Sequence, residues 1–268
     1  MPFTDDQAQA SLIQSGLAAG EFATHFQPKF DPESEDIVGL EALLRWNHSS
    51  EGLVEAGRFM QAVERDPELV ESIDSWVLQD TMRQAGAWLD QDLSFGLLSV
   101  NISAWSNGEI LVGEVKAALN NSGFPAKKLA LECPWRMLVV DVEGISHTMR
   151  ALRALGCMIV LDGNPLTQDC LDVVRNTPVQ ISKVCIEHMQ DIADNEGMSV
   201  LSKHIKNWQK TKVQIVTMGV ESEDHVALSQ KAGSRLFQGS RFKSALPGDE
   251  ILFLLKMIDK TKKALSFL

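Results

Sequence analysis

The chain has 268 residues, a length that fits one large domain or two small ones and allows a substantial core. Apolar residues make up 44% of it and charged residues 23%, which is ordinary for a globular protein and argues against a disordered or fibrous chain. The formal net charge of −11 disfavours binding to a nucleic acid polymer, because an acidic surface repels a polyphosphate. A small phosphorylated ligand is compatible with this charge if a metal or a few basic side chains offset the repulsion.

The first residues and the cysteines indicate a cytoplasmic protein. The chain opens without a basic segment, and no apolar run is long enough to cross a membrane. Its four cysteines are scattered without a C-x-x-C pair, which is typical of reduced, buried thiols. We therefore expect neither export nor membrane insertion.

The predicted elements begin with a helix and a hairpin. Thr4 and the acidic residues after it have the pattern of an N-cap, which predicts an N-terminal helix within residues 1–21. Apolar runs at 22–30 and 36–44 flank the turn-like segment 31–35 and predict a β-hairpin.

From about residue 56 onward, helical patterns and strand-like apolar runs follow one another. Such alternation is typical of parallel βαβ units, and about eight strands predict an α/β fold, a modified TIM-type (β/α)8 barrel in a single domain over residues 1–268. Because this pattern starts so early, we expect no sensor domain ahead of the barrel within these residues. The predicted strands are 95–100, 129–131, 157–161, 180–184, 213–217 and 235–237, and the predicted helices are 56–66, 70–90, 107–121, 140–155, 168–176, 195–210, 222–232 and 248–266.

Polar side chains follow several of these apolar runs. The carboxyl ends of parallel strands converge on one face of a barrel, which is where such barrels carry their sites. Oxygen ligands gathered there would suit a hard cation such as Mg²⁺, Mn²⁺ or Ca²⁺. An acidic residue at a strand end is also a common helix N-cap, so each residue alone is ambiguous. The candidates are Glu41, Asn101, Glu132 and Asp162, with Lys183 inside the next apolar run.

Residues 39–48 have the sequence GLEALLRWNH. This stretch resembles the signature of the EAL domain family, the cyclic di-GMP phosphodiesterases, and the resemblance covers nearly the whole chain. Further segments match in order and with near-family spacing. They are FQP at 26–28, VNISA at 100–104, LE at 131–132, Asp162 at the start of the DDFGTG segment, Lys183, GVESE at 219–223 and FQG at 237–239.

The resemblance implies a reaction and a set of site residues. Family members use two metal ions to activate a water that cleaves cyclic di-GMP to linear pGpG. Lys183 would contact that water or the phosphate, and Glu221 would support the site near loop six. The first metal, one Mg²⁺, Mn²⁺ or Ca²⁺ ion, would be held by Glu41, Asn101, Glu132 and Asp162. Ligand contacts would come from Gln27, Leu44, Arg45, Lys183, Gln238 and a stacking ring, Phe242.

The departures from the family pattern fall on the catalytic positions. Gly163 replaces the second aspartate of the DD pair, and Met218 replaces the glutamate before GVE. Neither side chain offers a hard oxygen, so the second metal site is expected to be lost. Losing a metal or a base typically costs ~10²–10⁴-fold in rate. We therefore expect a degenerate EAL domain with no efficient hydrolysis.

Three functions stay open at this point. The first is a receptor or adaptor in bacterial cyclic di-GMP signalling, which binds the dinucleotide without cleaving it and acts on a regulatory or signalling protein. The second is a protein-interaction scaffold that no longer binds the dinucleotide, and the third is a weak cyclic di-GMP phosphodiesterase giving pGpG. A dimer is not assumed, because the altered loop after Asp162 lies where the family usually forms its dimer contact.

Overall fold

The computed structural model describes residues 6–31, 37–241 and 243–265. Within them, the strands join in one sheet that closes into an eight-stranded barrel, with helices packed around the outside. This arrangement confirms the predicted modified (β/α)8 barrel. The strands are β1 Phe22–Phe30, β2 Ile37–His48, β3 Gly52–Glu55, β4 Leu97–Asn101, β5 Leu129–Pro134, β6 Met158–Asp162, β7 Ile181–Cys185, β8 Gln214–Met218, β9 Leu236–Phe237 and β10 Leu246–Pro247.

The barrel is modified in its first strand. Strands β2 and β4 to β9 run parallel to one another, whereas β1 is antiparallel to both β2 and β9 and closes the barrel between them. The predicted hairpin is therefore confirmed as the β1–β2 pair. Residues 32–35 of its predicted turn lie outside the described residues, as does the predicted N-cap Thr4. The short strands β3 and β10 extend β2 and β1 at their edges.

The helices largely follow the predicted pattern. Helix α3 begins at Pro67, where Asp66 accepts hydrogen bonds from the backbone N–H groups of Glu68 and Leu69, as expected for an N-cap before proline. The helices are α1 Asp6–Ala18, α2 Met60–Val63, α3 Pro67–Leu89, α4 Gly108–Ser122, α5 Trp135–Leu138, α6 Val142–Ala154, α7 Gln168–Arg175, α8 Ile186–Asn195, α9 Met198–Gln209, α10 Glu223–Ala232 and α11 Gly248–Leu265.

Two helix predictions differ from the structure. The predicted helix 56–66 shrinks to the single turn α2, because the chain before it pairs as β3 with β2 and then forms a 3₁₀ turn. A further helix, α8, precedes the predicted helix 195–210, and the sequence analysis did not predict it. Gly197 adopts φ +95°, a conformation open to glycine that breaks the chain between α8 and α9.

The barrel interior places the polar strand ends above a small apolar cluster. Ala130, Val160, Ile181 and Val216 pack together there, apart from the main core between sheet and helices. Side chains two residues apart on a strand face the same side. The next inward positions are therefore Glu132, Asp162, Lys183 and Met218.

Among the helices of the described residues, none has both the length and the hydrophobicity that a membrane crossing requires.

Candidate functional site

The side chains predicted at the strand ends meet in the barrel mouth, the end at which the parallel strands finish. The register places Glu41 on β2 beside Ser99 on β4, and Asn101 on β4 beside Glu132 on β5. Asp162 is the last residue of β6. We call the three carboxyl side chains, Glu41, Glu132 and Asp162, the carboxylate cluster, and Asn101 adjoins it.

Glu41 is buried and fully engaged in hydrogen bonds. Its Oε1 accepts from Asn101 Nδ2 at 2.9 Å, and its Oε2 accepts from Lys183 Nζ at 2.7 Å and from Gln238 Nε2 at 2.5 Å. Burial alone would raise the pKa of this carboxyl, but the ammonium groups of Lys183 and Lys29 hold it well below its usual range. Glu41 is therefore a carboxylate at neutral pH.

Glu132 has no exposed surface and bridges two lysines. Its Oε2 accepts from Lys183 Nζ at 2.8 Å, and its Oε1 accepts from Lys29 Nζ at 3.0 Å. Burial would lower the pKa of Lys183, but the carboxylates of Glu132, Glu41 and Asp162 together raise it well above its ordinary value. Lys183 thus joins the cluster as a permanent ammonium group.

Lys29 is a member of the site that the sequence analysis did not assign. Its Nζ lies 3.0 Å from Glu132 Oε1, 2.8 Å from Ser99 Oγ and 3.9 Å from Glu41 Oε2. Strand alternation could have found it, because Gln27 pairs with Glu41 across the hairpin and Lys29, two residues on, faces the same interior. We call Lys29 and Lys183 the lysine pair.

Asp162 is held more loosely than the two glutamates. Its Oδ1 lies 3.6 Å from Lys183 Nζ, and its side chain is 27% exposed. Burial raises its pKa above the ordinary value, against the opposing pull of Lys183. Among the described residues, Asp162 Oδ1 and Gln238 Oε1 are buried oxygens that accept no hydrogen bond, so the mouth contains acceptors that a bound molecule could use.

Arg45 extends the site along β2. It is buried and lies on the same face as Glu41, four residues and about 13 Å further along the strand. Its Nη1 donates to the Leu44 carbonyl oxygen at 3.0 Å, and its Nη2 lies 3.4 Å from Oε1 of Glu55. These contacts use two of the five N–H donors of the guanidinium group.

The two predicted glutamines adjoin the cluster, and we call Gln27, Gln238 and Arg45 the rim of the site. Gln238 Nε2 donates to Gln27 Oε1 at 3.1 Å as well as to Glu41, and Gln27 Nε2 donates to the Lys243 carbonyl oxygen at 3.1 Å. Phe242, the predicted stacking ring, lies outside the described residues.

A cavity of about 290 Å³ opens beside the carboxylate cluster. Asn101 and Asp162 line it on the cluster side, and Leu44, which also belongs to the hydrophobic core, lines it from β2. Asp74 and Arg136 contribute charged groups to its wall. The predicted ligand residue Leu44 is therefore close to the site, although mostly buried.

The two positions at which the sequence analysis expects missing acids have a different environment. Gly163 follows β6 with φ +66°, and the next residue, Asn164, is buried and accepts a hydrogen bond from Ser182 Oγ at 2.5 Å. Met218 ends β8 half-buried. Glu221 is exposed, and its backbone N–H donates to His225 Nδ1. Glu221 therefore does not join the carboxylate cluster.

A polar site at the carboxyl ends of the strands of a closed α/β barrel is characteristic of the TIM-type class. Within that class the chain belongs to the EAL domain family, whose model matches residues 10–245.

The names of two curated relatives identify those proteins as cyclic di-GMP enzymes. The chain is 26% identical over 242 residues to the bifunctional diguanylate cyclase/cyclic di-GMP phosphodiesterase MucR of Pseudomonas aeruginosa, covering 90% of this chain and 35% of that protein. It is 27% identical to the cyclic di-GMP phosphodiesterase NbdA of the same species, covering 91% of this chain and 31% of that protein. The chain therefore spans about a third of the length of these relatives.

Solved structures support the fold. The PaMucR phosphodiesterase in complex with c-di-GMP matches with a TM-score of 0.83 and 24% identity, covering 91% of this chain and 99% of that one. The EAL domain of FimX from Pseudomonas aeruginosa, bound to c-di-GMP, matches with a TM-score of 0.78 and 19% identity, covering 89% and 96% of the two chains. At these identities the likeness establishes the barrel alone.

EAL domains generally use divalent metal ions, and the carboxylate cluster carries the oxygen donors that such ions prefer. In this chain, however, the oxygens of Glu132 accept from Lys29 and Lys183, and those of Glu41 accept from three neighbours. A divalent cation would have to displace ammonium groups from both glutamates. The donors in this arrangement do not fit it, and the single metal that the resemblance implies stays a prediction.

Proposed function

We propose that this chain is a receptor or adaptor domain of bacterial cyclic di-GMP signalling, which binds the dinucleotide without cleaving it. The observation that carries the proposal is the unequal state of the barrel mouth. Glu41, Glu132 and Lys183 form a buried, interlocked network, while Gly163 and Met218 provide no acid on the opposite side. The mouth therefore has side chains that can bind a ligand, but it lacks the acids that the reaction would need on the opposite side.

The chemistry of the rim suits a phosphodiester. Arg45 has guanidinium donors beyond the two used by Leu44 and Glu55, and a planar guanidinium is well matched to phosphate oxygens. The acceptor oxygens of Asp162 and Gln238 that lack donors among the described residues suit the N–H groups of a nucleobase. Names of relatives in the same family identify cyclic di-GMP as the dinucleotide to test.

Hydrolysis is disfavoured because two retained side chains, Lys183 and Glu221, are poorly suited to act as the general base that it requires. Lys183 is an ammonium group held by carboxylates, so it donates hydrogen bonds and has no lone pair with which to accept a proton. Glu221 is exposed and separate from the carboxylate cluster. An adaptor role follows if occupancy of the mouth alters a surface that a partner protein reads.

Calorimetric titration with cyclic di-GMP tests the proposal, with Mg²⁺, Ca²⁺ or EDTA present and with the sample checked afterwards for pGpG. We expect binding without pGpG, and we expect Arg45→Met to weaken that binding by about tenfold or more, the loss of one charged hydrogen-bonding partner. Arg83→Met is the matched control, because Arg83 is an exposed arginine on α3 paired only with Asp80 in the described structure.

Each other outcome overturns the proposal in a different way. No binding in any arm would leave the protein-interaction scaffold as the function. Accumulation of pGpG with Mg²⁺ would identify a phosphodiesterase. Equal affinity of the Arg45→Met variant and the wild type would remove the rim from the binding site.

A further inference from the structure

The barrel mouth contains one more cationic side chain, Lys29, than the sequence analysis assigned to the site. Glu41, Glu132 and Asp162 bring three carboxyl groups, and the lysine pair brings two ammonium groups into contact with them. Lys29 has 11% of its side chain exposed and Lys183 has 3%, so water screens these charges little. The cluster is close to neutral without any added ion.

Lys29 lies where its ammonium group competes directly with a metal. It contacts Glu132 Oε1 at 3.0 Å and lies 3.9 Å from Glu41 Oε2, so it faces both glutamates of the cluster. A divalent cation binds such oxygens at about 2.0–2.6 Å. An ion at that distance would be within a few ångströms of a positive charge, and like charges that close repel strongly when buried.

The surrounding chain fixes Lys29 in this position. Ser99 Oγ accepts a hydrogen bond from its Nζ at 2.8 Å, which gives the ammonium a second protein partner besides Glu132. Across the hairpin Lys29 pairs with Gly39, which has no side chain, and a Cβ added there would lie 3.6 Å from Lys29 Cδ. The lysine stem therefore runs along open backbone into the mouth.

We propose that Lys29 is a built-in cation that takes the place of a divalent metal, so that the carboxylate cluster is ordered and charge-balanced without one. In this arrangement Lys183 and Lys29 divide the two oxygens of Glu132 between them. The direction of the Glu41 pKa, held low by both lysines, agrees with this balance. The proposal concerns the free protein and does not depend on whether the dinucleotide binds.

Titration with Mn²⁺ alone tests the proposal, followed by electron paramagnetic resonance of the free ion and by thermal unfolding. We expect wild-type protein to show no stoichiometric Mn²⁺ binding and the same Tm in Mn²⁺ and in EDTA. Lys29→Met keeps the length of the stem and removes the charge. We expect it to bind Mn²⁺ more tightly than wild type by more than about tenfold, the size of effect that neighbours of metal ligands typically have.

The Tm of Lys29→Met should also rise with Mn²⁺, because the metal replaces the missing positive charge. Lys116→Met is the control, since Lys116 is exposed on α4 and its loss changes the net charge equally. It should behave as wild type in both measurements.

The wild-type titration decides the question even if Lys29→Met does not fold. Stoichiometric Mn²⁺ binding by wild-type protein, with a Tm that falls in EDTA, would overturn the proposal. Lys29→Met that folds and binds Mn²⁺ no better than wild type would overturn it as well. If Lys29→Met does not fold without Mn²⁺, the absence of Mn²⁺ binding by wild type supports a site already filled by its own lysine.

Discussion

The two sides of the barrel mouth differ in how firmly their side chains are held. On the β2–β5 side, Glu41 and Glu132 are buried and hydrogen-bonded to the lysine pair. On the β6–β8 side, Asp162 is partly exposed, Gly163 has no side chain and Glu221 points to solvent. A substitution at Glu41 or Glu132 disturbs buried charges, whereas Asp162, Gly163 and Glu221 lie at a strand end or in loops. Lys183 is the buried charge on β7, and its ammonium group reaches across to the two glutamates.

This difference separates binding from reaction. A buried ion pair cannot lose one partner without leaving the other charge uncompensated, which is strongly destabilising. An exposed carboxylate carries no such constraint, and its replacement is usually within ±0.5 kcal/mol. The β2–β5 side therefore serves the fold as well as any ligand, while acids on the β6–β8 side can be absent from a stable barrel.

The largest effect should come from Glu132→Gln. The amide removes the charge that compensates both ammonium groups, and we expect the free energy of unfolding to fall by about 3–5 kcal/mol. Urea unfolding at neutral pH measures it. Glu221→Gln is the matched substitution on the other side and should stay within about 0.5 kcal/mol of wild type. Similar losses for the two variants would contradict the comparison.

A second prediction concerns Asp74, which supports the β2–β5 side from helix α3. Its Oδ2 accepts hydrogen bonds from the backbone N–H groups of Ser103 and Ala104, both at 2.8 Å, and so fixes the loop that follows Asn101. Burial raises the pKa of Asp74 to about 7, although these two hydrogen bonds pull it the other way. The folded protein therefore binds this proton more tightly than the unfolded chain does.

Stability should consequently fall as the pH rises from the ordinary pKa of an aspartate, about 4, to about 7, and then level off. Each pKa unit between the folded and unfolded states corresponds to about 1.4 kcal/mol, so the loss is on the order of 4 kcal/mol at most. Asp74→Asn keeps an acceptor oxygen for the loop and removes the ionisation. The difference in unfolding free energy between wild type and this variant should change over that pH window. A constant difference would show that Asp74 ionises normally.

Strand periodicity is what made the fold and much of the site predictable. The apolar runs lead directly into Glu132 and Asp162, which lie near the carboxyl ends of β5 and β6, and barrel geometry brings such positions together. The hairpin likewise follows from two runs around a turn, although its consequence, an antiparallel first strand that closes the barrel, depends on pairing with β9 at Phe30. Long-range pairing of this kind is not encoded in a local pattern.

Lys29 shows where sequence reasoning stopped. A lysine in an apolar strand is usually placed at a solvent-facing position, and only the register of the hairpin turns it toward Glu132. Helix α8 was missed for a different reason, since it begins directly after β7 at Cys185 and no side-chain cap marks its start. The positive φ of Gly163 was not predicted either, because a glycine at this position was interpreted as a lost ligand and not as a requirement of the backbone.

That requirement leads to the smallest predicted effect. A Cβ at Gly163 would meet no atom within 4 Å, so Gly163→Asp creates no clash, but the residue must adopt φ +66°. We expect a loss of about 1 kcal/mol in unfolding free energy, because left-handed backbone is costly for residues other than glycine and only partly tolerated by aspartate. Gly113→Ala on α4 is the control and should stabilise by up to about 1 kcal/mol, since Gly113 lies in an exposed helical turn with equal space. A loss in both variants would mean that space and not backbone conformation sets the cost, whereas opposite signs would show that restoring an acid to the β6–β8 side works against the loop itself.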